Sequence, residues 1–229
     1  MKLLNITDVF FDLDHTLWDF EKNSAAAFKT IFTNHQLLYA LDDFLLVYPE
    51  INKKYWEMYR INQISHQQLR YNRLKDSFDC ISVELTDDTI YLIANNYIEQ
   101  LPKYNVLMPG AKDILSYLDK KYKLHIITNG LHEVQHLKLI NSGILEYFDT
   151  VVDSETIGVK KPNPQIFEYA IQIANAQTQN CVMIGDCIEA DINGALNVGM
   201  KAILLDETEK NNVQNIILIN NLHQLKNYL

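Results

Sequence analysis

All seven glycines of this 229-residue chain lie at or after Gly110, and only Pro49 and Pro102 interrupt its first 107 residues. Glycine supplies the left-handed backbone that tight turns and strand-to-helix loops call for. Any alternation of strands and helices must therefore be built chiefly in the second half. The long glycine-free segment ahead of it, residues 18–101, reads as helical. Ala25, Phe28, Ile31 and Phe32 recur at helical spacing, as do Ile51, Tyr55, Met58 and Tyr59. Ser65 and Gln68 form a capping box ahead of a helix carrying Leu69 and Leu74, and residues 87–97 predict another helix.

Beyond Pro109 and Gly110 the rhythm changes. Residues 111–121 predict a helix, 123–127 a strand, and 133–142 a helix closed by Gly143. Val151 and Val152 make a short strand. Asn163 and Pro164 open the next helix as N-cap and first helical residue, with Phe167, Ala170, Ile171 and Ala174 on one face. A strand at 181–184, a helix at 190–198 and a strand at 202–205 follow. Residues 216–219 and 222–229 add a last strand and helix. Such alternation implies a parallel sheet with helices on both faces, joined by the apolar strand 7–11 from across the insertion. The expectation is an α/β, Rossmann-like, doubly wound parallel sheet formed by residues 1–17 and 102–229. A helical domain, residues 18–101, is inserted after its first strand.

That first strand runs into residues 10–17, Phe-Phe-Asp-Leu-Asp-His-Thr-Leu. Alternate side chains of an extended chain point to the same side, so Asp12 and Asp14 are expected close together at the strand end. Neighbouring like charges push pKa values apart, which suits one carboxylate as nucleophile and the other as proton carrier. In open parallel sheets, sites form at the C-terminal ends of strands. Three further strand ends carry polar groups: Thr128-Asn129-Gly130, Lys160-Lys161-Pro162, and Gly185-Asp186 with Asp191 five residues on. A hydroxyl at a strand end is often only a helix cap, and a loop lysine is usually solvated. Four such ends in one chain are hard to explain as structure alone.

Asp12, Asp14, Asp186 and Asp191 would crowd one pocket with negative charge. Each like-charge pair near 4 Å costs roughly 4 kcal/mol at an effective dielectric near 20. Oxygen-only ligands favour a hard cation, and Mg²⁺ fits. With Lys161 and the Thr128 hydroxyl, this makes a site for a phosphoryl group. The net charge of −9 argues against nucleic-acid or anionic-membrane partners. No signal-peptide pattern or membrane-spanning stretch is seen, and three scattered cysteines suggest a reducing cytoplasm. The expected partner is a small phosphorylated metabolite, and the chain is read as a monomer or homodimer.

The four segments together closely resemble those of the haloacid dehalogenase superfamily of aspartate-nucleophile phosphatases. The resemblance implies that Asp12 attacks phosphorus to form an aspartyl phosphate. Asp14 would protonate the leaving oxygen and then deprotonate water. Thr128, Asn129 and Lys161 would hold the phosphoryl group. Asp12, Asp14 through its backbone carbonyl, and Asp186 would bind Mg²⁺, with Asp191 in support. Lys161 is preferred over Lys160 because the family's lysine directly precedes proline. The helical insertion matches the family's small α-helical cap. Residues 10–24, Thr128-Asn129-Gly130 and residues 158–164 are similar to the subgroup that includes noncanonical pyrimidine 5′-nucleotidases. That makes nucleoside 5′-monophosphates the expected substrates, with Trp56 of the cap as a stacking surface for the base.

Several residues have plainer readings. His132 and His136, one turn apart, are taken as a surface pair without a third zinc ligand, and His15 as structural. Arg70 and Arg73 share a helix face and are read as solvated. A sugar-phosphate or phosphoglycolate phosphatase, or a phosphomutase, fits the same core motifs. A metal-free 2-haloacid dehalogenase is opposed by Asp14 and Asp186. A non-catalytic binding protein is opposed by the presence of every expected acid and the lysine.

Overall fold

The computed structural model describes residues 2–206 and 216–229. It divides into two compact units, residues 1–20 with 105–229, and residues 21–104. These junctions fall three residues later than the sequence suggests. The reason is local. Trp18 bridges to Leu107, Met108 N–H donates to the Leu17 carbonyl at 2.9 Å, and Asp19 N–H donates to the Val106 carbonyl at 3.0 Å. The outgoing and returning chains thus stay paired before they part.

The first unit is built on six parallel strands: β1 (Asp8–Phe11), β2 (Lys123–Thr128), β3 (Thr150–Asp153), β4 (Cys181–Gly185), β5 (Lys201–Leu205) and β6 (Ile217–Ile219), in the order β3-β2-β1-β4-β5-β6. Every residue of β1 and β4 is buried. This is expected of parallel strands covered on both faces, and it is why they read as apolar runs rather than as alternation. The chain winds outward from β1 to β2 and β3, then returns to β4 on the other side. β1 and β4 therefore flank the point where the winding reverses, with Phe11 in register with both Ile126 and Ile184. A crevice opens at the carboxyl ends of strands at such a reversal. Asp12 and Asp186 follow those two strand ends directly.

The helices of this unit are α5 (Ala111–Leu118), α6 (His132–Asn141), the single turn α7 (Ser154–Ile157), α8 (Pro164–Ile173) and the short α9 (Gly194–Asn197); the helices of the other unit are numbered α1 to α4. The Asn163 side chain caps α8 by accepting from Gln165 N–H at 2.9 Å, with Pro164 in the first turn. Residues 190–198, read as one α-helix, instead begin in a π-helical turn, Ile188–Asn193, before α9. The widened turn lets Asp191 reach back, and its Oδ2 accepts the Cys187 N–H at 3.1 Å. Such turns concentrate at functional sites. Apolar spacing cannot distinguish them from an ordinary helix. Gly194 then lets this element close down on α8, where a Cβ would stand 2.5 Å from the Phe167 ring. The last helix, Leu222–Asn227, is 3₁₀.

The second unit holds α1 (Phe20–Asn34), α2 (Leu41–Arg60), α3 (His66–Cys80) and α4 (Asp87–Gln100). The Ser65–Gln68 capping box starts α3, and the Thr86 hydroxyl caps α4. Aromatic rings fill the core, with Phe28 stacked on Tyr97 at 4.5 Å and Phe32 on Phe78 at 5.6 Å. Arg73 is not solvated as the sequence suggests, and Arg70 is so only in part. Arg73 is buried, donates to Asn52 Oδ1 at 3.0 Å and lies over the Tyr97 ring. Arg70 donates to the Ala94 carbonyl and to Asn95 Oδ1. The face they share is the one α3 turns to α2 and α4, and the low hydrophobicity of α3 hides this. Trp56 is half-buried, edge-on to Tyr59, while Tyr55 is tied to Asp76 at 2.6 Å. No helix among the described residues is long and apolar enough to cross a membrane.

Candidate active site

Asp12 leaves β1 with its N–H still bonded to the Ile184 carbonyl at 2.9 Å, so its backbone is held by β4. The carboxylate is almost fully buried, and Lys161 stands against it. The Lys161 ammonium lies 2.6 Å from Asp12 Oδ1, 2.7 Å from Asp191 Oδ1 and 2.6 Å from the Ile127 carbonyl. It donates hydrogen bonds to the first and the last of these and forms an ion pair with Asp191. Burial disfavours its charge, but Asp12 and Asp191 outweigh burial and hold Lys161 above the ordinary lysine range. Lys160 is only half-buried.

Asn129 fixes this lysine by its backbone. Its Nδ2 donates to the Lys161 carbonyl at 3.0 Å, and its Oδ1 accepts the Lys161 N–H at 2.7 Å. The Asn129 side chain, read from the sequence as a substrate contact, is thus engaged in positioning Lys161. Thr128 ends β2, and its Oγ1 accepts from Gly130 N–H at 3.1 Å and Gln135 Nε2 at 2.7 Å. With both acceptor sites taken, the hydroxyl proton is left to donate to an incoming oxygen. Thr128 caps no helix, because Leu131 is the residue before α6.

Asp12, Asp186 and Asp191 each bring one oxygen within 4.8 Å of the others. The Asp14 carboxylate, which the sequence reading crowds into the same pocket, is not in this group. Burial, reinforced by Asp191 and Asp186 against the pull of Lys161, raises Asp12 to about 8. Burial and Asp191 raise Asp186 to about 7. The shift at Asp12 therefore comes from burial and two distant-sequence acids, not from Asp14 as its spacing suggested. One lysine does not neutralise three carboxylates. An all-oxygen set short of positive charge is the donor chemistry a hard divalent cation such as Mg²⁺ takes. Gly185 makes room for this cluster, since a Cβ there would meet Asp191 Oδ2 at 2.3 Å.

β1 stops at Phe11, and the chain then turns. His15 has φ +62°, and the Leu13 carbonyl accepts from both Leu17 and Trp18 N–H at 2.9 Å. His15 packs near Phe20. Asp14 is instead gripped by α6, where Lys138 Nζ donates to Oδ1 at 2.6 Å and Gln135 Nε2 to Oδ2 at 3.0 Å. Neither residue was singled out from the sequence. The available signal was weak: Gln135 and Lys138 occupy buried positions of α6 between Val134 and Leu139, where apolar residues are expected. His132 pairs with Asp153 at 2.7 Å and stacks on His136. Neither belongs to a group of three metal-ligating side chains among the described residues.

The chain matches the family model of the haloacid dehalogenase-like hydrolases over residues 8–199. It is 30% identical over 225 residues to the pyrimidine 5′-nucleotidase YjjG of Escherichia coli, covering 96% of each chain. It is 32% identical over 236 residues to a glyceraldehyde 3-phosphate phosphatase of Methanothermobacter thermautotrophicus, covering 96% of this chain and 98% of the other. The fold superposes on a crystal structure of Bacillus subtilis YfnB bound to magnesium with a TM-score of 0.88 and 24% identity, covering 97% and 98% of the two chains.

Proposed function

The chain belongs to the haloacid dehalogenase-like hydrolase family and is a phosphoric monoester hydrolase, and from that premise we propose a Mg²⁺-dependent reaction at Asp12 on nucleoside 5′-monophosphates. The observation that carries the chemistry is the buried cluster of Asp12, Lys161, Asp191 and Asp186, with the Thr128 hydroxyl free to donate. Lys161 and Thr128 receive the phosphoryl oxygens. An Asp12 oxygen bonds to phosphorus as the ester P–O bond breaks, and its electron pair leaves on the ester oxygen. Asp14 gives that oxygen a proton. Asp14 next takes a proton from water as the water oxygen displaces Asp12 from phosphorus, which releases phosphate and restores both aspartates. Asp12, the Asp14 carbonyl and Asp186 would hold Mg²⁺, with Asp191 in support; the ion would supply the positive charge that the transferred phosphoryl group and the acid cluster lack.

The metal reading predicts a pH dependence. With Asp12 at about 8 and Asp186 at about 7, the metal-free cluster carries protons that a cation must displace. Acid therefore weakens metal binding. The Mg²⁺ concentration for half-maximal activity is expected to rise about tenfold from pH 8 to pH 6, and exhaustive chelation to abolish turnover. Full activity in EDTA removes the metal from the reading.

The 30% identity to a pyrimidine 5′-nucleotidase over nearly the whole chain supports the nucleotide assignment. The 32% identity to a glyceraldehyde 3-phosphate phosphatase favours a second reading, a small sugar phosphate. A substrate panel with and without Mg²⁺ separates them. Stacking a base on an aromatic ring contributes roughly 1–3 kcal/mol. Nucleoside monophosphates are accordingly expected to exceed ribose 5-phosphate in kcat/KM by at least about tenfold. Trp56→Ala should narrow that gap and leave p-nitrophenyl phosphate less affected. Equal kcat/KM for both classes in the wild type defeats the nucleotidase assignment and leaves the phosphatase chemistry standing.

A further inference from the structure

We infer that Gln135 and Lys138 of α6 are positioning residues that aim the Asp14 carboxyl group at the leaving oxygen, an inference that rests on the aspartate chemistry proposed above. Asp14 sits in a turn, and no neighbour on its own segment is bonded to its carboxyl. Both of its oxygens are held from a helix more than a hundred residues away, Oδ1 by Lys138 at 2.6 Å and Oδ2 by Gln135 at 3.0 Å. A carboxyl oxygen has more than one acceptor site. Each grip therefore leaves a site where the transferred proton can reside, so Asp14 can give and regain it without leaving its holders.

The holders are themselves fixed. Lys138 is buried, with its ammonium 4.2 Å from the Trp18 ring centre and 5.6 Å from that of Phe20. Trp18 and Phe20 follow Asp14 on the same segment, so this contact locks the turn that carries the acid onto α6. Gln135 is buried as well, and the same nitrogen that meets Asp14 donates to Thr128 Oγ1 at 2.7 Å. The amide orientation is dictated by Asp14, because turning the amide would set Oε1 against a carboxylate. Gln135 Oε1 is buried with no hydrogen-bond partner among the described residues. This orientation keeps Nε2 on both the acid and the phosphate-binding hydroxyl. Gly130 is part of the same device, since a Cβ there would stand 2.4 Å from the Gln135 amide carbon.

The test uses leaving groups that differ in their need for a proton. An alkyl phosphate such as a nucleoside 5′-monophosphate or ribose 5-phosphate requires protonation of the departing oxygen; p-nitrophenyl phosphate expels a stable phenolate. Lys138→Met is expected to lower kcat on the alkyl ester about 10- to 100-fold, a part of the roughly 10²–10⁴ that a positioned acid–base contributes. The first-turnover burst of p-nitrophenolate from the aryl ester, which precedes the water step that Asp14 also serves, should slow no more than about threefold, and KM for the alkyl ester should change little. Lys138→Arg should restore most of the alkyl activity. Gln135→Met, which removes no charge, should show the same selective loss if Lys138→Met fails to fold. Equal slowing of leaving-group release in the first turnover of both esters, or none on either, overturns the positioning role. A wild type inactive on both esters overturns the aspartate chemistry itself and this inference with it.

Discussion

Asp12→Asn is expected to abolish phosphate release, by about 10³-fold or more, while the protein stays folded. Removing a nucleophile that forms a covalent intermediate removes the pathway rather than one contact along it. The amide keeps the volume of the carboxylate but lacks the anionic oxygen that attacks phosphorus. The fold has little to lose by the change. Asp12 is raised to about 8 by burial and by Asp191 and Asp186, so its charge works against its neighbours. Neutralising it relieves that repulsion and leaves Lys161 paired with Asp191 at 2.7 Å. Thermal denaturation of metal-free protein should therefore give a Tm near or above that of the wild type. Activity within tenfold of wild type, in a preparation free of other phosphatases, would falsify the nucleophile assignment.

Lys161→Met should damage both activity and stability. The ammonium is the cationic contact between Asp12 and Asp191, and its side chain is only 2% exposed. Loss of a buried charge that neutralises two others costs about 3–5 kcal/mol, and kcat/KM should fall at least about 10³-fold as the phosphoryl oxygens lose their fixed cation. The stability loss has a definite pH sign. Without the lysine, Asp12 loses the charge that pulls against burial and is still harder to ionise in the folded protein than in the unfolded chain. The folded state then holds more protons, so its stability declines as pH rises. In EDTA, the variant should lie close to the wild type at pH 5 and fall well below it at pH 8. A variant as stable as the wild type at pH 8 contradicts the pairing geometry.

The core was legible where chemistry follows a strand end. Asp12, Thr128 and Asp186 each come directly after, or close, an apolar run, so strand boundaries locate them. The Ser65–Gln68 box, the Asn163 cap and the helix-closing Gly143 were readable for the same reason, because each bonds only to its near neighbours. Lys161 was harder. The sequence placed it in a loop before proline, and only the resemblance separated it from Lys160. The α/β class also followed from local signals, the placement of glycine and the alternation of elements.

What local spacing could not reveal was the identity of the partner across a gap in sequence. Periodicity says that positions 73, 135 and 138 lie on particular helix faces. It does not say that Asn52 and Tyr97 await Arg73, or that Asp14 awaits Gln135 and Lys138. A charged residue on a polar helix looks solvated until its neighbours are placed, and burying it is tolerable only when they supply its hydrogen bonds. The reversal of winding at β1 likewise decided which acids meet. It brought Asp12 beside Asp186 and Asp191, while the turn after Phe11 carried the Asp14 side chain to α6. The sequence by itself determined which residues could do chemistry, since strand ends and loops are local. Only the tertiary structure decided how Asp12 and Asp14 divide between the acidic cluster and the α6 cradle, since that depends on contacts spanning more than a hundred residues.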